Sequence, residues 1–205
     1  MRLVPFLLCL IACPAFAQSA GPQTPGPGSK EGETRREQIW HVPATGGAPL
    51  MIATVMRPPG EAKHPLVVIN HAEPVDAALR PKIARPRHVT LSAWFVDHGY
   101  AVVQPLRRGY GVTGGTYAED YGACASPDYH AAGLATAADI KATIDYMRTQ
   151  PFVAADRTLV VGNDAGGWGT IAFSSLNPPN VSGMINFSGG RGGHQKLANG
   201  NIGNC

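Results

Sequence analysis

The sequence predicts an α/β fold with a largely parallel sheet and helices on both faces. Three observations carry this. Two segments, 38–42 and 50–56, flank Thr45-Gly46-Gly47 and read as an opening hairpin. Residues 66–70 and 101–105 are unbroken apolar runs, as expected of strands buried on both faces, and 158–161 and 182–187 repeat the strand signal. Segments of helical period lie between them, so strand and helix alternate along the chain.

Taken in order, Met1-Arg2 gives a short positive start, residues 3–16 are mostly apolar, and Ala15-Phe16-Ala17 is a small-x-small cleavage signal. The apolar run is too short for a transmembrane anchor. Residues 1–17 are therefore expected as a bacterial-type export signal, sending the protein to the periplasm or outside the cell. Leu10-Ile11-Ala12-Cys13 also resembles a lipobox, and lipid attachment at Cys13 is the lesser alternative. Residues 18–36 are small, polar and rich in Pro and Gly, and are expected as a disordered linker before a domain at 37–205.

Within that domain the first helix is expected over 89–98. Leu91, Trp94, Phe95 and His98 would lie on one side, with Gly99 as the stop. A Gly-rich loop leads to Asp128, placed to cap a helix over 129–150 in which Ala137, Ile140, Ile144 and Met147 recur at helical spacing. A third helix, 166–176, ends at Asn177-Pro178-Pro179.

Composition narrows the function. A net charge of +3 over 205 residues is too slight to argue for nucleic acid or an anionic membrane, and no integral membrane association is expected. His41, His64, His88, His98 and His130 are scattered without metal-ligand spacing, so no metal is expected. Gly109-Tyr110-Gly111-Val112-Thr113-Gly114 matches a dinucleotide-binding pattern, but it runs into more loop instead of opening a helix, so no cofactor is expected. Cleavage after Ala17 would leave two cysteines. In an oxidising compartment Cys124 and Cys205 invite a disulfide worth about 4–5 kcal/mol, the alternative being two free thiols. Every one of the 14 acidic residues lies at or before Asp164.

The stretch with chemistry in it is Gly162-Asn163-Asp164-Ala165-Gly166, set between a buried strand and a helix. Small residues at 162 and 166 permit a tight turn that lifts the middle side chain above the sheet. The Ala165 amide, at the helix N-terminus, would be one oxyanion donor. The plainer reading is an ordinary strand–turn–helix with Asp164 as N-cap. Arg107, Arg108 and Tyr110 close a strand and open the 107–115 loop, where they would meet substrate or serve structural ion pairs.

At these residues the chain resembles the α/β-hydrolase superfamily, and more narrowly the exported dienelactone-hydrolase and prolyl-oligopeptidase-like hydrolases. His71-Ala72-Glu73-Pro74 stands where the family has an H-G-x-P-like segment, and 162–166 stands at its nucleophile elbow. Arg107-Arg108-Gly109-Tyr110-Gly111, Tyr121-Gly122-Ala123-Cys124, Gly166-Gly167-Trp168-Gly169-Thr170 and Asn186-Phe187-Ser188-Gly189-Gly190-Arg191-Gly192-Gly193 add to the likeness, which extends over about 38–205. The resemblance implies hydrolysis of a small-molecule ester or a peptide through an acyl-enzyme. Position 164 would be the nucleophile, and the amides of Ala165 and of Ala72 or Glu73 the oxyanion hole.

Three departures qualify this. The nucleophile position holds Asp164 in place of serine. A carboxylate attacking an ester gives an anhydride; attack on an sp3 carbon bearing a halide or epoxide oxygen gives an alkyl ester. An Asp-nucleophile hydrolase is thus one alternative, although those families commonly follow the Asp with Trp where this chain has Ala165. Glu73 brings a carboxylate to a place that should stabilise negative charge. Past Asp164 there is no acid, and His194 is the sole histidine, whereas the family order is nucleophile, acid, histidine. The sequence supplies about six of the family's eight strands, so an N-terminal portion with impaired or absent activity is expected. A noncatalytic binding protein is the second alternative.

Overall fold

The opening hairpin seeds the sheet. β2 (Gln38–Val42) and β3 (Met51–Met56) pair antiparallel, with Trp40 opposite Ala53. β3 pairs antiparallel with β5 (Ala101–Leu106), and from there β4 (His64–Asn70), β6 (Val153–Asn163) and β7 (Val181–Phe187) are all parallel. With β1 (Gly26–Pro27) the sheet has seven strands in the order β1-β2-β3-β5-β4-β6-β7. A separate antiparallel pair joins β8 (His194–Lys196) to β9 (Ile202–Asn204). The computed structural model describes residues 24–191 and 194–204. The expected export signal at 1–17 and Cys13 lie outside the described residues.

Alternation along the central strands builds two cores. On one face Leu66 and Val68 of β4 and Val160 of β6 pack under α2 (Tyr129–Met147) and α3 (Ala165–Ser175), against Ile140, Ile144, Met147 and Phe173. On the other, Val67, Ile69 and Val161 pack under α1 (Val89–Asp97), against Phe95 and Val96. Each such side chain contributes about 1.5–3 kcal/mol on burial. Helices therefore cover both faces, as the apolar runs imply. The α2 stripe at Ala137, Ile140, Ile144 and Met147 is fully buried. The Asp128 side chain accepts from the Ala131 amide at 2.8 Å, as an N-cap should.

Two expectations are corrected. In α1 the inward residues are Ser92, Phe95 and Val96, while Trp94 is 54% exposed and stacks on His98. The helix rotates because Ser92 is satisfied inside: its hydroxyl accepts from Gln104 of β5 at 2.9 Å and donates to the Arg87 carbonyl. The second correction concerns the stretch expected as a linker, whose residues 26–36 are docked. Gly28 donates to the Ile39 carbonyl, Arg57 donates to the Arg35 carbonyl, and Glu31 pairs with Arg36 and Arg57. Among the described residues no helix is long and apolar enough to cross a membrane.

Candidate active site

The site is built where β6 turns into α3. Asp164 sits between them at φ 51° and ψ −120°, a backbone conformation that side-chain-bearing residues rarely hold. Its amide donates to the Phe187 carbonyl and its carbonyl accepts the first helical bond of α3, from Trp168. The flanking glycines are required by space. A Cβ on Gly162 would stand 2.3 Å from the Gly166 carbonyl oxygen, and one on Gly166 would stand 2.5 and 2.6 Å from the carbonyl oxygens of Asn70 and His71. The turn is therefore pressed against the end of β4, bringing the 71–74 segment over Asp164.

That contact decides what the Asp164 side chain does. It makes no capping bond to α3; instead Oδ2 accepts from the Glu73 backbone N–H at 3.0 Å. Asp164 thus holds the N-cap position, but its side chain does not cap the helix. Its carboxylate rests on a backbone donor beside the N-terminus of α3, where the amides of Ala165, Gly166 and Gly167 precede the first helical hydrogen bond. Ala72 contributes its carbonyl, accepting from His71 Nδ1 at 2.7 Å.

The Glu73 carboxylate, expected to oppose an oxyanion, turns away from the site. Arg80 and Tyr117 donate to Oε1 at 2.7 and 2.8 Å, and Arg191 donates to Oε2 at 2.5 Å. Two guanidiniums neutralise it while its amide stays at Asp164. His71 is buried, with Nδ1 on the Ala72 carbonyl and Nε2 accepting from the Arg107 amide at 3.2 Å. Burial, and then the Arg107 charge, hold its pKa down at about 3. A neutral ring with both nitrogens engaged does not serve Asp164 as a base.

Of the two roles open to Arg107, Arg108 and Tyr110, substrate contact or structural pairing, the structure places all three in buried or part-buried pairs. Arg107 is fully buried, paired with Glu119 at 2.5 Å and donating to the His71 carbonyl at 2.7 Å. Tyr110 is fully buried and donates to Glu119 Oε2 at 3.0 Å. Arg108 pairs with buried Asp139 of α2 at 2.5 Å. An arginine at a strand end needs a carboxylate partner as soon as the following loop folds over it, and Glu119 and Asp139 supply one each. Glu119 also accepts from Arg191 at 3.0 Å. Burial alone would raise its carboxyl, but the Arg107 charge and hydrogen bonds, with Arg191, take it down to about 2. Sequence alone assigns no role to Glu119, Arg191, Tyr117 and Arg80, because they meet only where separate loops fold together: Tyr117 and Arg191 reach Glu73 across 44 and 118 positions.

Beside the turn, on the α1 side, a cavity of about 280 Å³ is lined by Ile69, Leu91, Val161 and Phe187 with His88 and Asn163. Cys124 is disulfide-bonded, and Cys205, its expected partner, lies outside the described residues. Among the described residues no group of three His, Cys, Asp or Glu converges to hold a metal.

No family model and no curated protein sequence matches the chain. Solved structures do. Est1E from Butyrivibrio proteoclasticus aligns with TM-score 0.51 and 17% identity, over 74% of this chain and 51% of its own. A Klebsiella pneumoniae protein assigned as a dienelactone hydrolase aligns with TM-score 0.52 and 18% identity, over 80% and 63%. Dipeptidyl peptidase 4 of Porphyromonas gingivalis gives TM-score 0.54 and 16% identity, over 76% and 21%. The chain thus spans about half the length of Est1E and a fifth of the peptidase. These neighbours are esterases, dienelactone hydrolases and peptidases, and at such identities the likeness is one of fold. With its sheet order, its helices on both faces and its strained turn after β6, this chain has the fold of the α/β-hydrolase superfamily.

Proposed function

We propose that the chain is the N-terminal portion of an exported hydrolase of ester or amide bonds, that position 164 is its nucleophile position, and that Asp164 leaves it without ester turnover. The observation that carries this is the hydrogen bond from the Glu73 amide to Asp164 Oδ2. A serine at this turn would aim its oxygen at a carbonyl whose developing oxyanion needs that same amide. In this chain the donor is already filled by the residue's own carboxylate. An acyl group placed on that carboxylate would be an anhydride, and His71 is not available as a base. The acid and histidine of the reaction would come from the remainder of such a hydrolase, and Cys124 would pair with Cys205.

The same hydrogen bond favours a second reading. Holding one carboxylate oxygen on an amide leaves the other to attack an sp3 carbon. The carbon–oxygen bond forms as halide departs with its electron pair, leaving an alkyl ester on Asp164.

One set of measurements separates them. The purified chain is expected to hydrolyse p-nitrophenyl acetate no faster than Asp164→Ala, and a fluorophosphonate is expected to label Asp164→Ser slowly and the parent not at all. Ester turnover by the parent that disappears in Asp164→Ala overturns the proposal. An added alkyl mass on Asp164 after incubation with a 1-chloroalkane selects the second reading.

A further inference from the structure

We propose that Glu119, acting through Arg107 and Arg191, is a positioning residue that sets where the Glu73 amide stands over Asp164. The proposal rests on the reading of that amide as the oxyanion donor. Its ground is the way one buried carboxylate ties together the loops around the turn. The sheet order β5-β4-β6-β7 puts the loops after β4, β5 and β7 on either side of the loop after β6, which carries Asp164. Glu119 lies in the loop after β5 and is fully buried. It accepts from Arg107 at the end of β5 and from Arg191 after β7.

Each arginine then reaches on to the segment after β4. Arg107 holds His71 twice, through its backbone N–H to Nε2 at 3.2 Å and its Nη1 to the carbonyl at 2.7 Å. Arg191 holds the Glu73 carboxylate at 2.5 Å. The segment bearing the donor is thereby gripped at its first and third residues, and both grips lead back to Glu119. A hydrogen-bond donor for catalysis has to stand within about 0.5 Å of its productive place, which a four-residue loop does not achieve unaided. The planar fork of Arg191 matters here. One guanidinium spans Glu119 and Glu73 together, which a lysine ammonium, with the same charge, does not.

The test reads how firmly the amide is held at Asp164, by hydrogen exchange of the Glu73 N–H in the 15N-labelled 205-residue chain, with Val68 and Val160 as sheet references. Arg191→Lys is expected to speed Glu73 exchange at least tenfold while Val68 and Val160 stay within twofold. Arg108→Lys is the control, since Arg108, next to Arg107 at the end of β5, makes an ion pair as close as that of Arg191 but grips Asp139 of α2 instead of the 71–74 segment. It is expected to leave Glu73 within twofold. An unchanged Glu73 rate in Arg191→Lys overturns the proposal, as does equal acceleration by Arg108→Lys. If Arg191→Lys does not fold, Tyr110→Phe removes one hydrogen bond from Glu119 and no charge, and about a threefold acceleration confined to the 71–74 segment is expected. No acceleration there overturns the proposal equally. Unchanged exchange in Asp164→Ala would tell against the functional reading alone, leaving the arginine variants to decide the clamp.

Discussion

Gly166 shows how much of the site a single residue can announce. A glycine two places after the candidate nucleophile is readable in the sequence as a demand for space, and the structure shows which atoms make the demand: the carbonyl oxygens of Asn70 and His71. Both belong to backbone, so a methyl group there cannot be accommodated by a side-chain rotation. Gly166→Ala is expected to cost about 1–3 kcal/mol as overpacking, read as a lowered urea midpoint. It should also loosen the Glu73–Asp164 contact, because Asn70 and His71 lead straight into that segment. A midpoint equal to the parent's would mean that the turn does not press on β4. For Arg107, Arg108 and Tyr110 the sequence leaves substrate contact and structural pairing open, for a complementary reason. A charged or hydroxylated side chain at a strand end looks the same in sequence whether it faces solvent or a buried carboxylate 12 or 31 positions on. Only the folded loop distinguishes the two.

Elements were legible where one face is apolar and regular. The α2 stripe and its Asp128 cap follow from spacing and side-chain chemistry alone, and both are found as read. Asp128→Ala is expected to lower stability by about 1 kcal/mol, the ordinary value of an N-cap. Asp128→Asn, which keeps the accepting oxygen, should lose much less; thermal unfolding of the two variants side by side checks this. Elements were illegible where a polar group faces inward or where a Pro/Gly-rich stretch is docked through backbone bonds and ion pairs to other segments. In α1 the hydroxyl of Ser92 faces inward to Gln104 and Trp94 stays outside, so only Leu91 and Phe95 of the expected apolar side meet the core. In the 26–36 stretch, main-chain bonds such as Gly28 to Ile39 act together with the Glu31 pairs to Arg36 and Arg57, and composition carries no trace of either.

At the scale of the molecule, the carboxyl ends of three strands are held by groups that folding has moved far from their ordinary titration, His71 by burial and Glu119 by its arginine partners, and acid should therefore untie the fold in two stages. The first belongs to His71, whose pKa falls from 6.5 to about 3 on folding. Below about pH 6.5 the unfolded chain takes up a proton that the folded chain refuses until about pH 3. Stability is therefore fully present above 6.5 and is lost as pH falls, by about 1.4 kcal/mol per unit for one proton. His88, also held down by burial, adds to the loss in the same direction. The second stage belongs to Glu119, ordinarily 4.5 and about 2 when folded. From about pH 4.5 downward the unfolded state binds this second proton, and the slope steepens. Urea unfolding between pH 8 and 4 should show a constant midpoint down to about pH 6.5, a decline from there, and a steeper one below about 4.5. His71→Asn, folded and measured alongside, should lose most of the first decline and keep the second. A parent midpoint that stays level from pH 8 to 4 would mean that neither His71 nor Glu119 is held in the buried, paired state on which the geometry of the 71–74 segment depends.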